Sequence, residues 1–258
     1  MIETTRNRRG EEARLNTPPT GLRLYEGTVQ DERRGGDTSF AIELAASAEQ
    51  KQAACALVNA KYGWRGYGND HRLSDSVTSA TFSATLEQEI VGTLSLVVDS
   101  PSGLCADHTF GDTLQLLRAA PDTRLCELTK FAFDSDFNSM HVLASLFHTI
   151  FIYGTTRHRC TDLLIEVNPR HIRFYEVMLS FEKVGGLRTN ASVDAPSQLM
   201  RLKVADIGRH IERHHAGGGT PSKRSLYPFF LTAAQEYLIH ERMADFARDW
   251  PFSELTSA

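Results

Sequence analysis

The residues best suited to move a proton or hold an anion are Glu127 and Lys130, in RLCELTKFAFD, and Tyr175, in IRFYEVMLSF. A carboxylate accepts a proton, a phenol donates a hydrogen bond and an ammonium group holds an oxyanion. Each also has an ordinary explanation. Glutamate is seldom fully buried, so Glu127 can be a surface residue paired with Lys130 or Arg124. Lys130 can be a solvated lysine, and Tyr175 a core tyrosine with a satisfied hydroxyl. Asn168, before Pro169, suits a turn that ends a strand. Trp64 suits an anchor in the core or a wall of an apolar pocket. His210, His214 and His215 resemble a metal cluster only superficially, because no carboxylate or cysteine stands at a recognised spacing, and no metal is expected. Cys55, Cys105, Cys126 and Cys160 form no CxxC pair, so they read as buried thiols of a reducing compartment rather than a disulfide framework.

These residues need elements to position them. SFAIELAA reads as a short strand, and Ser47 with Gln50 three residues on is a capping-box signature for a helix reaching about Tyr62. Ala54, Leu57 and Val58 share its apolar face, and Gly63 is a plausible stop. VTSATFSATL and IVGTLSLVV, rich in β-branched residues, predict a hairpin turning at Glu87 to Glu89. A Gly-punctuated insertion from Pro101 to Thr123 carries the helix FGDTLQLLRAA and leads into the strand RLCELTKFAFD. Leu143, Leu146, Phe147, Ile150 and Phe151 then keep helical spacing. DLLIEVN is a buried strand that Asn168-Pro169 ends, IRFYEVMLSF is a helix, and FEKVGG and SQLMRLKV are closing strands. The order is β-α-β-β-(insert)-β-α-β-α-β-β.

At 258 residues, with 41% apolar and 23% charged residues, the chain fits one substantial catalytic domain with tails. A formal net charge of -4 and a sequence pI near 6.2 argue against a nucleic-acid partner. No stretch has the length and apolarity of a signal peptide or a membrane span, which makes the cytoplasm the expected location. Residues 1–38 hold few large apolar side chains and are expected to be a loose arm. The domain is expected over 39–206. Residues 207–258 then read as a linker around GGGTPSK and a helical extension able to cover the core or a partner chain.

A strand ending in Asn-Pro followed by FYEVMLSFEKVG resembles the second half of the N-acetyltransferase-like superfamily, with VNPRHIRFYEVMLSFEKVG carrying the likeness. ELTKFAFD and the long insertion narrow it: GTLSLVVDSPSGL and FGDTLQLLRAAPDTRLCELTKFAFD resemble the long-chain N-acyl amino acid synthases, relatives of the acyl-homoserine-lactone synthases. The likeness covers roughly residues 38 to 206. It implies an α/β (α+β) fold: a mixed, mostly antiparallel sheet with helices on both faces, here with a helical C-terminal extension. The sheet should splay between RLCELTKFAFD and DLLIEVN. The implied reaction moves a long fatty acyl group from a phosphopantetheine thioester to the amine of an amino acid, with no permanently bound cofactor.

By the same resemblance, Glu127 would receive the amine proton and Tyr175 would stand near the departing sulfur. Phe131, Ala132 and Phe133 would cradle the thioester, and Lys130 would bind a carboxylate or a carrier phosphate. Asn168 would reach the pantetheine amides and Trp64 the acceptor pocket. Phe82, Leu94, Leu96, Phe131, Phe133 and Phe147 are candidates to line an acyl tunnel. Acetyl-CoA users of this fold hold the diphosphate on a loop of the type [RQ]-x-x-G-x-[GA]; here that place reads DSDFNSMHVLAS, without glycine and with Asp134 and Asp136. The departure favours acyl carrier protein as donor, with Lys130, Arg157, Arg159, Arg170 and Arg173 as candidate contacts. GWRGYGNDHRLS lacks the full acceptor loop of the lactone synthases. A short-chain acyl-CoA N-acetyltransferase and a catalytically silent acyl-binding module are the alternatives.

Overall fold

The computed structural model describes residues 22–31, 35–87, 89–134, 139–215 and 225–249. The first strand, β1 (Leu22–Asp31), hairpins into β2 (Gly36–Leu44). Helix α1 (Ala48–Trp64) follows, with both halves of the Ser47/Gln50 capping box formed. Ala54 and Val58 are buried beneath it. Strands β3 (Ser79–Leu86) and β4 (Glu89–Val98) pair as the expected hairpin, and the insertion forms α2 (Asp107–Arg118) before β5 (Leu125–Phe133). Next come α3 (Met140–His158), β6 (Asp162–Val167), α4 (Ile172–Leu179), β7 (Glu182–Asn190) and β8 (Ala195–Lys203). The chain closes with α5 (Val204–His215) and α6 (Ala233–Asp249).

The strands form one eight-stranded sheet in the order β1-β2-β3-β4-β5-β6-β8-β7. The β5–β6 pair is parallel and the others are antiparallel. Successive side chains of a strand point to opposite faces. Cys126 and Leu128 therefore join α3 in the main core, whereas Leu125 joins Phe110 and Leu114 of α2 in a second cluster. Glu127 shares the α2 face.

The loose-arm expectation fails from residue 22 onward, while residues 1–21 and 32–34 lie outside the described residues. Leu24 and Val29 are buried in the core, and β1 lines up with β2 from Leu22↔Leu44 to Asp31↔Gly36. Averaged over 38 residues, a polar composition conceals the one stretch, LRLYEGTV, that has apolar side chains to bury. Its bulge between Arg23 and Tyr25 also breaks the simple alternation that would reveal a strand.

The expected boundary at residue 206 also gives way. Ile207 of α5, together with Leu226, Tyr227, Phe230, Leu231, Ile239 and Met243, belongs to the main core. Thus the C-terminal segment covers its own domain. Gln235 Nε2 donates to Tyr25 Oη at 2.9 Å and Arg242 Nη1 to the Leu24 carbonyl at 3.1 Å, tying α6 to β1. The GGGTPSK linker lies outside the described residues. His210 and His214 stack on Tyr227, at ring separations of 4.6 and 6.3 Å. Among the described residues no group of three or more His, Cys, Asp or Glu is placed to hold a metal ion. None of the described helices is long and apolar enough to cross a membrane.

The cysteines differ from the expectation of four buried thiols. Cys126, at the start of β5, is disulfide-bonded to Cys160, just before β6, with their Cα atoms 6.2 Å apart. Cys105 is exposed and Cys55 half-buried. The bonded pair lies 34 positions apart with the whole of α3 between, so sequence spacing held no trace of their meeting.

Gly92 on β4 faces Phe133 on β5, and a Cβ added there would stand 2.5 Å from the phenyl ring. Gly92→Ala is expected to cost about 1–3 kcal/mol by overpacking and to displace Phe133. Denaturant melts should show this as a lower midpoint at unchanged slope.

Candidate active site

The sheet opens where the chemistry was expected. β5 pairs with β6 over only three positions, Leu125↔Asp162, Cys126↔Leu163 and Glu127↔Leu164, although β5 continues to Phe133 and β6 to Val167. Beyond Glu127 the two strands part. A bulge coincides with the opening: pairing with β4 shifts between Thr93 and Ser95, and Lys130 takes a left-handed φ of 54°. The extra residue changes the parity of the strand. Leu128 before it and Phe131 and Phe133 after it consequently pack on the same α3 face. A non-glycine residue in this conformation stores strain of a kind that concentrates at functional sites.

Glu127 sits at the base of the opening and is 2% exposed, so the paired surface glutamate is excluded. The Ala106 N–H, at the start of α2, donates to Glu127 Oε2 at 3.1 Å. The turn presenting that amide is fixed in three ways. Gly103 has φ 76°, Asp107 Oδ2 accepts from Leu104 N at 2.7 Å, and Arg118 bridges Asp107 and Asp99 at 2.6 Å each. Burial pushes the Glu127 carboxyl up to about 8; the Ala106 and Cys105 amides oppose this and Glu166 adds to it. The Glu127 carboxyl therefore changes charge near neutral pH, the range in which a side chain can exchange a proton with a bound group.

Tyr175, on α4, is buried, and its hydroxyl makes no hydrogen bond to a described residue. Burial raises its phenol far above the ordinary value, Tyr62 adding and Arg65 opposing. So high a value keeps the proton on oxygen, leaving Tyr175 a hydrogen-bond donor rather than an acid. Tyr62, at the end of α1, is itself pushed up to about 12 by burial.

Phe131 lies 5.4 Å from Phe147 and 6.5 Å from Phe174, centroid to centroid, so it lines the α3 side of the opening. Ala132 pairs with Thr93 and is buried. Of the six tunnel candidates, Phe82, Leu94, Leu96 and Phe147 are completely enclosed in the core, and Phe131 and Phe133 are half-buried. Asn168 Oδ1 accepts from Arg170 N at 3.2 Å and its Nδ2 donates to the Pro196 carbonyl at 3.3 Å, capping the turn after β6. Trp64 ends α1 with 85% of its surface exposed, so it anchors no core. Asp134 is held by Lys61 at 2.7 Å, which offsets the charge expected to repel a diphosphate; Asp136 lies outside the described residues.

Sequence reasoning missed the loop after α1. The His71 backbone N–H donates to Asn59 Oδ1 at 2.7 Å. Its ring approaches the Tyr67 carbonyl with Nε2 at 3.0 Å and meets Lys130 Nζ with Nδ1 at 3.2 Å. Arg170 donates to Tyr67 Oη at 2.7 Å. The loop is thereby fastened on both sides of the opening, to β5 through Lys130 and to the turn after β6 through Arg170. The only sequence signal was the run GWRGYGNDHRLS standing where an acceptor loop was sought.

A family model described as N-acyl amino acid synthase FeeM matches residues 53–203, more than half of the chain. The chain belongs to the FeeM family. It is accordingly an acyltransferase, and its family members are N-acyl amino acid synthases. The solved structure of FeeM, an N-acyl amino acid synthase from uncultured soil microbes, is 24% identical over 66% of this chain and 93% of that one, at a TM-score of 0.58, which shows the fold. The acyl-homoserine-lactone synthase LasI aligns at 10% identity over 65% of this chain and 91% of its own, at a TM-score of 0.49. No curated protein matches the chain. The family match ends at residue 203, so α5 and α6 lie beyond it.

Proposed function

We propose that this acyltransferase moves a long-chain fatty acyl group from acyl carrier protein to the amine of a free amino acid. The observation that carries the reading is the buried Glu127, held at the base of the β5–β6 opening by the Ala106 amide. The amine gives a proton to Glu127, its nitrogen attacks the thioester carbonyl carbon, and the C–N bond forms as the C–S bond breaks. The sulfur leaves as a thiolate steadied by the Tyr175 hydroxyl, and the proton lost by nitrogen ends on sulfur. Phe131, Ala132 and Phe133 form the edge along which the thioester lies. Lys130, Asn168 and Trp64 are candidates for contact with the substrates.

Carrier protein is favoured over CoA because DSDFNSMHVLAS has no glycine on which a diphosphate could rest. A pantetheine arm brings one phosphodiester, and the acidic surface of a carrier suits Arg170 and Arg173, after β6, whereas Arg157 and Arg159 stand at the C-terminal end of α3, where β5 and β6 remain paired. The expected setting is the cytoplasm. Lipid extracts from cells expressing the protein should contain long-chain N-acyl amino acids that are missing with Glu127→Ala. Matched donors should then give higher catalytic efficiency with acyl carrier protein, falling as salt rises. Better turnover of acyl-CoA, or of a two-carbon donor, would overturn the donor assignment.

A further inference from the structure

We infer that Lys130, positioned by His71, binds the carboxylate of the acceptor, so that the enzyme selects free amino acids against amines lacking that group. This rests on the acyl-transfer reading of the same site and adds a basis for acceptor choice. Lys130 lies at the bulge, three residues after Glu127 and beside Phe131–Phe133, and thus at the reacting centre itself. Its one hydrogen bond among the described residues runs to a neutral acceptor, His71 Nδ1 at 3.2 Å, and no described carboxylate pairs with it.

Two anions can enter such a site, the acceptor's carboxylate and the phosphodiester of the donor. Their chemistry separates them. In an α-amino acid the carboxylate is one carbon from the amine, so the cation that binds it must stand close to the group taking the amine proton. The phosphodiester is a full pantetheine arm away from the thioester, so it belongs to a cation remote from Glu127. Lys130 meets the first requirement and not the second.

His71 gives the ammonium a direction. With Nε2 set against the Tyr67 carbonyl, Nε2 carries the ring proton and Nδ1 presents a lone pair to Lys130. The Asn59 side chain accepts from the His71 backbone at 2.7 Å and donates to its carbonyl at 3.1 Å, and Cys55 Sγ approaches that carbonyl at 2.8 Å. An ammonium group fixed by one acceptor keeps two N–H bonds for a carboxylate. His71 is in this sense a positioning residue.

The test offers the purified full-length enzyme two acceptor sets, the proteinogenic L-amino acids and their C-terminal amides, with long-chain acyl carrier protein and acyl-CoA in parallel. Products are read by mass spectrometry. The wild type should favour acids over amides by about 10-fold or more, the range of a charge-assisted hydrogen bond. Lys130→Met should lower kcat/KM for acids about 10- to 100-fold, mainly through KM, and bring the acid-to-amide ratio close to one. Lys130→Arg should restore part of the preference, and His71→Phe should weaken it with a smaller rise in KM. Thermal melts alongside identify a variant that fails to fold, in which case the wild-type acid-to-amide ratio and Lys130→Arg decide. Equal use of acids and amides by the wild type would overturn the inference while leaving acyl transfer standing. An altered donor KM with an unaltered acid-to-amide ratio in the variants would assign Lys130 to the phosphate and overturn it as well. Failure of both acceptor sets with both donors would overturn the acyl-transfer reading and this inference together.

Discussion

Glu127→Gln should lower the acyl-transfer rate about 10²- to 10³-fold, within the usual contribution of a positioned general base, and should flatten the pH profile. The amide replaces the carboxyl at nearly equal volume and still accepts from Ala106 N, so the variant should fold. In the wild type the carboxylate form is the base, and burial holds its ionisation up near 8. The rate should therefore rise with pH and level off above about 8, and the substitution should remove that limb.

Stability gives an independent reading of the same group, with opposite sign. The folded state holds the Glu127 proton up to about 8, whereas an unfolded chain releases it near the ordinary carboxyl value. Between those limits the native state binds more protons, so Glu127 makes stability fall as pH rises through that window. Glu127→Gln should reduce this slope, making the variant as stable as the wild type at low pH and more stable above about pH 8. Urea melts across pH check it. A variant with full activity, or with an unaltered pH dependence of both rate and stability, would remove Glu127 from the mechanism.

Ending the chain after His215 should abolish cooperative folding. The lost segment buries Leu226, Tyr227, Phe230, Leu231, Ile239 and Met243. At about 1.5–3 kcal/mol for each fully buried large side chain, removing them costs about 10 kcal/mol or more, comparable to the whole stability of a domain. Polar losses add to this: Leu231 N donates to the buried His148 Nδ1 at 2.9 Å, and Tyr227 Oη donates to the Leu179 carbonyl at 2.7 Å. A buried acceptor without its donor is costly. The truncated chain should show no sharp thermal transition, whereas Ile239→Ala should fold with a loss of about 2–5 kcal/mol. A cooperative melt and normal activity in the truncated chain would show that the segment after α5 is accessory.

Much of this protein was legible along the chain because the signals were local. The Ser47/Gln50 capping box, the turn after Asn168-Pro169 and the β-branched runs of β3 and β4 depend on residues a few positions apart, and each formed where the spacing placed it. The splay was legible through resemblance, since RLCELTKFAFD and DLLIEVN carry a family pattern whose geometry they reproduce. The core-anchor reading of Trp64 fails because the end of α1 gives the ring no interior to fill.

The sequence by itself determined the central elements, their order and the strand that bears Glu127. Only the tertiary structure decided what surrounds that carboxyl, because its burial comes from an α2 turn that is 21 residues away in sequence. It also joined Cys126 to Cys160 and brought His71 to Lys130 across 59 positions. Likewise, β1 and α6 gain their burial partly from each other, with Gln235 meeting Tyr25 across 210 residues. A polar-looking segment shows whether it repays its ordering entropy only when its partner is in place, and these partners lie at opposite ends of the chain.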